Sequence, residues 1–217
     1  MADVQKAEQC QESGGELEIE AKVLGIDFKE LETMLRSLGA QLEGVFELTE
    51  QRFGDAGQSV DSRPSIRLRK KTDITPGRIS HAIVKLVRKE KLPSVVVAGV
   101  PRFKCRQEHP LPVLDGQNGD TYEINKAALL RRDLLPSHAM VTRRTTYVLD
   151  DVRCEMDEVL QCNGQNVVVP PFLEIEGPNP DAIIAAARRL GFSVEDLSPL
   201  SKKAVVKMYA PDALGEI

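Results

Sequence analysis

The sequence predicts an α+β fold: an eight-stranded antiparallel β-barrel forming a tunnel, with helices packed on its outside. Three observations predict it. Eight segments alternate apolar and polar residues with a period of two, and few strong breakers interrupt them. Amphipathic segments of helical period lie between and after them, and each needs an apolar surface to cover. The strand charges are also segregated by sign, which a face built only for solubility does not require.

The strands are predicted at residues 16–25, 42–53, 64–72, 80–90, 102–109, 139–149, 152–161 and 166–176. Residues 1–15 read as a mobile lead-in, and 16–217 as a single domain. Asp27 caps a helix with Phe28, Leu31, Leu35 and Leu38 on one face; Glu30 stands at the capping-box position and Gly39 ends it. A second helix is expected from Glu123 to Leu134. A third begins at Asn179 and Pro180, carries Ile183, Ile184, Ala187 and Leu190, and stops at Gly191. A fourth follows Ser198 and Pro199, with Leu200, Ala204 and Met208 at every fourth position. Leu92 to Pro101 reads either as a short strand or as an apolar loop, and Leu114 to Tyr122 as a turn-rich loop.

The 217 residues suffice for one sizeable core. A net charge of -4 means the protein as a whole does not attract polyanions, so an anion site must come from local clustering of its 29 Lys and Arg. Only 4% of residues are aromatic and none is Trp, which argues against a nucleic-acid surface built on base stacking. No apolar run approaches the roughly 20 residues that cross a bilayer. The N-terminus has no apolar leader segment, and Cys10, Cys105, Cys154 and Cys162 form no CxxC pair. These features predict a cytoplasmic protein with reduced thiols. There is no HExxH zinc motif and no GxxxxGK[ST] phosphate loop.

Strand parity places Glu18, Glu20 and Lys22 on one face, against Leu17, Ile19, Ala21 and Val23. Glu174 and Glu176 share a face, as do Glu155 and Asp157, Arg67 and Arg69, and Lys104, Arg106 and Glu108. One such strand alone would be a solvated outer face. If helices cover the apolar faces, however, the charged rows point inward, where they must be paired or bind something. An acidic wall opposite a basic wall suits a metal–polyphosphate complex. Carboxylates hold Mg2+ or Mn2+, and Arg and Lys hold phosphate oxygens.

The ordered set of motifs is similar to that of the triphosphate tunnel metalloenzymes, the CYTH superfamily. Glu18-x-Glu20-x-Lys22 resembles its ExExK signature, "SIRLRK" its RxR strand, "FKCRQE" its basic strand, and "VTRRTTY" the segment with an arginine three residues before an aromatic. "EMDEV" and "LEIEG" resemble its late acidic strands. The resemblance implies a tunnel with outer helices and a divalent-metal-dependent triphosphatase. Its substrate would be thiamine triphosphate, inorganic tripolyphosphate or a nucleoside triphosphate, and it would use two Mg2+ or Mn2+ ions. It assigns Glu18, Glu20, Asp157, Glu174, Glu176 and Glu155 to metal, and Lys22, Arg67, Arg69, Lys85, Arg106 and Arg144 to phosphate. Lys104 joins the phosphate group by parity alone. Of the C-terminal helix lysines, Lys202 or Lys203 would reach the tunnel mouth, and Lys203 is taken. Glu20, Glu176, Lys22 and Arg144 are the expected catalytic residues. The region Thr49 to Pro64 departs from the family by lacking its usual tyrosine, which bears on the organic end of a substrate. The same motifs would serve a class IV adenylyl cyclase or a non-catalytic polyphosphate-binding module. A triphosphorylated RNA end is the one nucleic acid they would admit.

Overall fold

The structure is a computed structural model that describes residues 15–55, 65–115 and 120–215. The predicted lead-in, apart from Gly15, and Cys10 lie outside the described residues, as does the 56–64 part of the Thr49–Pro64 region. Among the described residues ten strands are formed: β1 (Glu16–Leu24), β2 (Gln41–Asp55), β3 (Ser65–Asp73), β4 (Ala82–Lys91), β5 (Val95–Val97), β6 (Val100–Leu111), β7 (Leu134–Leu149), β8 (Val152–Cys162), β9 (Gln165–Asn166) and β10 (Phe172–Gly177). Eight of them run in the order β1-β10-β8-β7-β2-β3-β4-β6, and β6 returns to pair with β1. Every pairing around this ring is antiparallel, so the barrel is closed and leaves no long open edge. The β2–β7 ladder shifts register between Leu42 and Gly44 and again between Gln51 and Phe53, and such bulges add the bend that closure needs.

Four α-helices among the described residues lie outside the ring: α1 (Phe28–Ser37), α2 (Thr121–Leu130), α3 (Pro180–Arg189) and α4 (Lys202–Tyr209). Ile19, Ala21 and Val23 of β1, with Cys154, Met156, Leu173 and Ile175, form one core with Leu31 and Leu35 of α1 and Ile183 and Ala187 of α3. A second core sets Phe53, Leu68 and Leu86 against Tyr122 and Leu129 of α2. The apolar strand faces are therefore the outer ones, and the charged rows face the bore. α4 covers one end of it. Val205 and Val206 pack with Met140, Val159 and Phe172, and Met140 and Phe172 lie opposite the inward residues Glu50 and Asp157. Leu35→Ala, at a fully buried position of α1, is expected to cost about 2–5 kcal/mol in denaturant unfolding.

Caps explain where the helices begin. The Asp27 carboxylate accepts from the Glu30 amide at 2.9 Å, and Asn179 accepts from the Ala182 amide at 2.9 Å. α2 starts two residues before Glu123 because Asp120 caps it, accepting from the Tyr122 amide. It ends at Leu130, and Leu134 opens β7 instead of closing the helix. α4 starts at Lys202 because Ser201 is the cap. Leu200 thus lies outside the helix, Val205 and Val206 form its buried face, and Met208 is exposed. Leu92 to Pro101 contains the short strand β5, joined to β6 by a two-residue turn in which Ala98 and Gly99 both have positive φ, the geometry of a tight hairpin. The segment expected as one strand over 166–176 is divided between β9 and β10, because Pro170 and Pro171 remove two amide donors.

Candidate active site

Register determines which charges meet. On β1, Glu18 stands opposite Arg106 and Glu20 opposite Lys104 of β6, while on the other side Glu20 faces Glu176 and Lys22 faces Glu174 of β10. Arg67 and Arg69 of β3 lie opposite Arg52 and Glu50 of β2, and Arg144 of β7 lies opposite Asp157 of β8. Cross-strand partners share a face, so these side chains converge in the bore. There they surround a cavity of about 540 Å³. Among the described residues its wall carries twelve Lys and Arg against four Glu, and Glu108, Glu155 and Asp157, outside the lining, also pair with those cations, which leaves the wall net positive in a chain of net charge -4.

Three knots of charge organise the wall. Arg144, 4% exposed, donates from Nε and Nη2 to Asp157 at 2.6 and 2.7 Å and from Nη2 to Glu174 at 3.4 Å, and it also pairs with Glu155. Lys22, 1% exposed, donates to Glu20 at 2.9 Å and pairs with Glu174, while Lys104 pairs with the same Glu20. Lys89 donates to both oxygens of Glu18 at 3.0 and 2.9 Å and pairs with Glu108. At the basic pole Arg69 pairs with Glu50 at 2.9 Å, and Arg67 lies 3.4 Å from Glu108 and 3.8 Å from Glu50. Arg52 donates to Ser65 Oγ at 3.1 Å, and the buried Nε atoms of Arg67 and Arg106 have no hydrogen-bond partner among the described residues.

These surroundings set the ionisation of each group. Burial alone would raise the carboxyls of Glu18, Glu50, Glu174 and Asp157. Nearby cations outweigh it and hold all four below the ordinary carboxylate range: Lys89 first for Glu18, Arg69 for Glu50, Lys22 for Glu174 and Arg144 for Asp157. Glu176 is the exception, raised by burial and by its neighbours Glu18 and Glu174. Burial and the nearby Arg67 pull Lys89 down to about 8, and burial with Arg106 does the same to Lys104. Arg52 falls to about 9 through burial beside Arg67 and Arg106.

A carboxylate depressed in the folded state stabilises it above the unfolded pKa and loses that contribution as pH falls through the folded one. The protein is therefore expected to lose stability progressively below about pH 4.5, the ordinary glutamate value, in urea titrations at stepped pH. The two lowered lysines act in the opposite sense: charging them in the folded state is unfavourable, and that cost is relieved between about pH 8 and 10.5.

Of the residues expected from sequence, Glu18, Glu20, Lys22, Arg67, Arg69, Lys104, Arg106, Arg144, Glu174 and Lys203 line the cavity. Asp157 and Glu155 do not. They are buried in the wall, bound by Arg144. Glu176, opposite Glu20, is half-buried and is not among the lining residues. Lys85 shares the inward face, opposite Arg69, but is exposed and stands outside the cavity lining. Lys202 also lines the cavity, its ammonium 2.9 Å from Asp157, 3.4 Å from Glu50 and 3.4 Å from Thr142.

Glu50, Arg52, Lys89, Lys91, His138 and Lys207 also line the cavity and were not among the residues expected there. Some were legible. Glu50 and Arg52 alternate with outward Gln51 and Phe53, and Lys89 and Lys91 continue the parity of Lys85. Cys105, Cys154 and Cys162 are buried, and no helix among the described residues is long and apolar enough to cross a membrane.

The donor chemistry for a divalent cation is present. Glu18, Glu174 and Glu176 lie close enough for the first two to raise the third, and oxygen carboxylates suit Mg2+ or Mn2+. Among the described residues, however, no group of three or more His, Cys, Asp or Glu is gathered tightly enough to enclose an ion, because Lys and Arg hold most of the acids.

No family model and no curated protein matches the chain. Solved structures do. A candidate adenylate cyclase from Vibrio parahaemolyticus is similar over 89% of this chain and 99% of its own, with 12% identity and a TM-score of 0.60. HpAC1 from Hippeastrum, a candidate adenylyl cyclase with a dominant triphosphatase activity, is similar over 88% and 95%, with 15% identity and a TM-score of 0.53. The RNA triphosphatase domain of a trifunctional mimivirus mRNA capping enzyme is similar over 87% and 94%, with 10% identity and a TM-score of 0.51. With eight antiparallel strands closed into a ring, helices outside it and charges within, this chain shares the fold of these three structures.

Proposed function

We propose that this chain is a triphosphatase that binds a triphosphate in the bore and releases orthophosphate. The observation that carries this reading is the cavity wall: among the described residues twelve cations line it against four acids, and the Nε atoms of Arg67 and Arg106 have no hydrogen-bond partner. Guanidinium groups gathered this closely repel one another and are relieved by a multiply charged anion. The HpAC1 likeness favours hydrolysis over cyclisation, since that protein has a dominant triphosphatase activity.

In this reading Arg67, Arg69, Arg106 and Lys104 hold the phosphate chain, and Arg144 with Lys22 sets the positions of the acids beside it. Glu18, Glu174 and Glu176 would hold Mg2+ or Mn2+, which would supply Lewis-acid neutralisation of phosphoryl oxygens. Water attacks the terminal phosphorus, the bridging P–O bond breaks, and the electron pair leaves with the diphosphate. Arg and Lys around the cavity stabilise charge spreading onto the equatorial and leaving oxygens. Glu20, paired with Lys22 and Lys104, is the carboxylate on the cavity wall assigned to receive the water's proton.

The test is incubation of the purified protein with tripolyphosphate, thiamine triphosphate and ATP, each with Mg2+ or Mn2+. Orthophosphate is expected. Cyclic AMP and pyrophosphate from ATP would replace this reading with that of a cyclase, and binding without turnover would make the protein a polyphosphate-binding module. Arg67→Ala is expected to lower kcat/KM by about 100- to 1000-fold while leaving the fold intact by circular dichroism.

A further inference from the structure

We propose that Asn163 is a site of spontaneous deamidation, and that the acid formed there loosens α4 from the mouth of the bore. Asn163 and Gly164 are the two turn residues between β8 and β9, both exposed and both with positive φ, 49° and 77°. That turn geometry suits Asn followed by Gly. The same pair has the least hindered route to a succinimide, because glycine carries no side chain beside the attacking nitrogen. The Gly164 amide nitrogen bonds to Asn163 Cγ, its proton passes to water, the Cγ–Nδ2 bond breaks and ammonia leaves. Water then opens the ring at either carbonyl, giving aspartate or isoaspartate. Nothing is oxidised or reduced.

The Asn163 side chain is a latch. Its Oδ1 accepts from the Ala139 amide of β7 at 2.9 Å, and its Nδ2 donates to the carbonyl oxygens of Ala213 at 3.0 Å and Leu214 at 3.5 Å. Those two residues close the 3-10 turn Pro211–Leu214 that follows α4. An aspartate keeps the acceptor but has no donor, so a negative charge faces two carbonyl oxygens. Isoaspartate also adds a main-chain carbon to the turn. Val205, Val206, Ala213 and Leu214 share one apolar cluster, so this end of the chain opens as a unit. Because α4 supplies Lys202, Lys203 and Lys207 to the cavity wall, its opening draws cations away from the bore. The latch also sets the rate. While both ends of the amide are bonded Cγ is held in place, so ring closure proceeds from molecules in which the latch has opened. Conversion then makes reclosing less favourable, and the change runs in one direction.

The full chain is aged in mildly alkaline buffer beside a synthetic peptide of residues 160–167, and conversion at Asn163 is followed by peptide mapping with mass spectrometry. Mapping is needed because Asn118–Gly119, the other Asn-Gly pair of the sequence, lies outside the described residues and can convert too. Hydrogen exchange over residues 201–214 is then compared between the fresh chain, the aged chain and Asn163→Asp. The folded chain is expected to convert about 10- to 100-fold more slowly than the peptide, because its amide is held. Exchange over 201–214 is expected to be about 10- to 100-fold faster in Asn163→Asp and in the converted molecules of the aged sample, with the barrel strands unchanged. If Asn163→Asp does not fold, the converted fraction of the aged wild type gives the same reading.

Conversion as fast as in the peptide, no conversion of the folded chain once the peptide has fully converted, exchange over 201–214 that conversion leaves unchanged, or faster exchange spread evenly over the barrel would each overturn the inference. Neither readout involves turnover, so the outcome is independent of the triphosphatase reading.

Discussion

Arg144→Ala will destabilise the protein by about 3–5 kcal/mol and abolish hydrolysis. One guanidinium, 4% exposed, is the common partner of Asp157, Glu155 and Glu174. Its removal leaves three buried carboxylates on adjoining strands with Lys22, Lys202 and the more distant Arg153 as their remaining ion-pair partners among the described residues. Repulsion and desolvation then act together, and the acids take up protons that the folded wild type excludes. The unfolding midpoint in urea should fall with m unchanged, and the loss should be smaller near pH 4, where protonation relieves the repulsion. Arg144→Lys should recover only part of the stability, because a single ammonium cannot reproduce the fork that binds Asp157 through Nε and Nη2. Unchanged stability in Arg144→Ala would mean that the three acids are not held by this residue.

Glu20→Gln separates binding from chemistry. The substitution keeps the shape of the side chain and removes one of four negative charges facing twelve positive ones. Affinity for tripolyphosphate should be preserved or tightened, because Lys22 and Lys104 are released from their shared partner. Turnover should fall by about 100-fold or more, since the carboxylate assigned to the water's proton is lost. Calorimetry and orthophosphate release measured on one preparation read the two effects apart. Parallel loss of both would place Glu20 in holding the wall together, and full turnover would remove it from the chemistry.

Much of the site was legible because strand parity is a local property. Glu18-x-Glu20-x-Lys22, Arg67-x-Arg69 and Lys104-x-Arg106 each declare a shared face in three residues, and the apolar helix stripes imply which face is covered. The structure agrees with that direction: Ile19, Ala21 and Val23 lie beneath α1 and α3, and the acids look into the bore. Position along the bore was not legible. Lys85 and Lys89 have the same parity four residues apart, yet Lys85 is exposed and Lys89 is 4% exposed against Glu18. The stagger between β3, β4 and β6 decides which of them lies at cavity depth, and no local pattern encodes a stagger between strands. α4 shows the same limit. A cap at Ser201 in place of one three residues earlier turned Val205 and Val206 inward and brought Lys202 to Asp157.

The amino-acid order by itself determined the alternating strands, the helix caps at Asp27 and Asn179, and the separation of acidic from basic rows, because each follows from neighbours a few residues apart. Only the closed barrel decided which charges became partners, which were left over as a positive surplus, and which were buried in the wall. Ion pairing depends on distance through space, and residues such as Glu18 and Lys89, 71 positions apart, acquire that distance only when the ring closes.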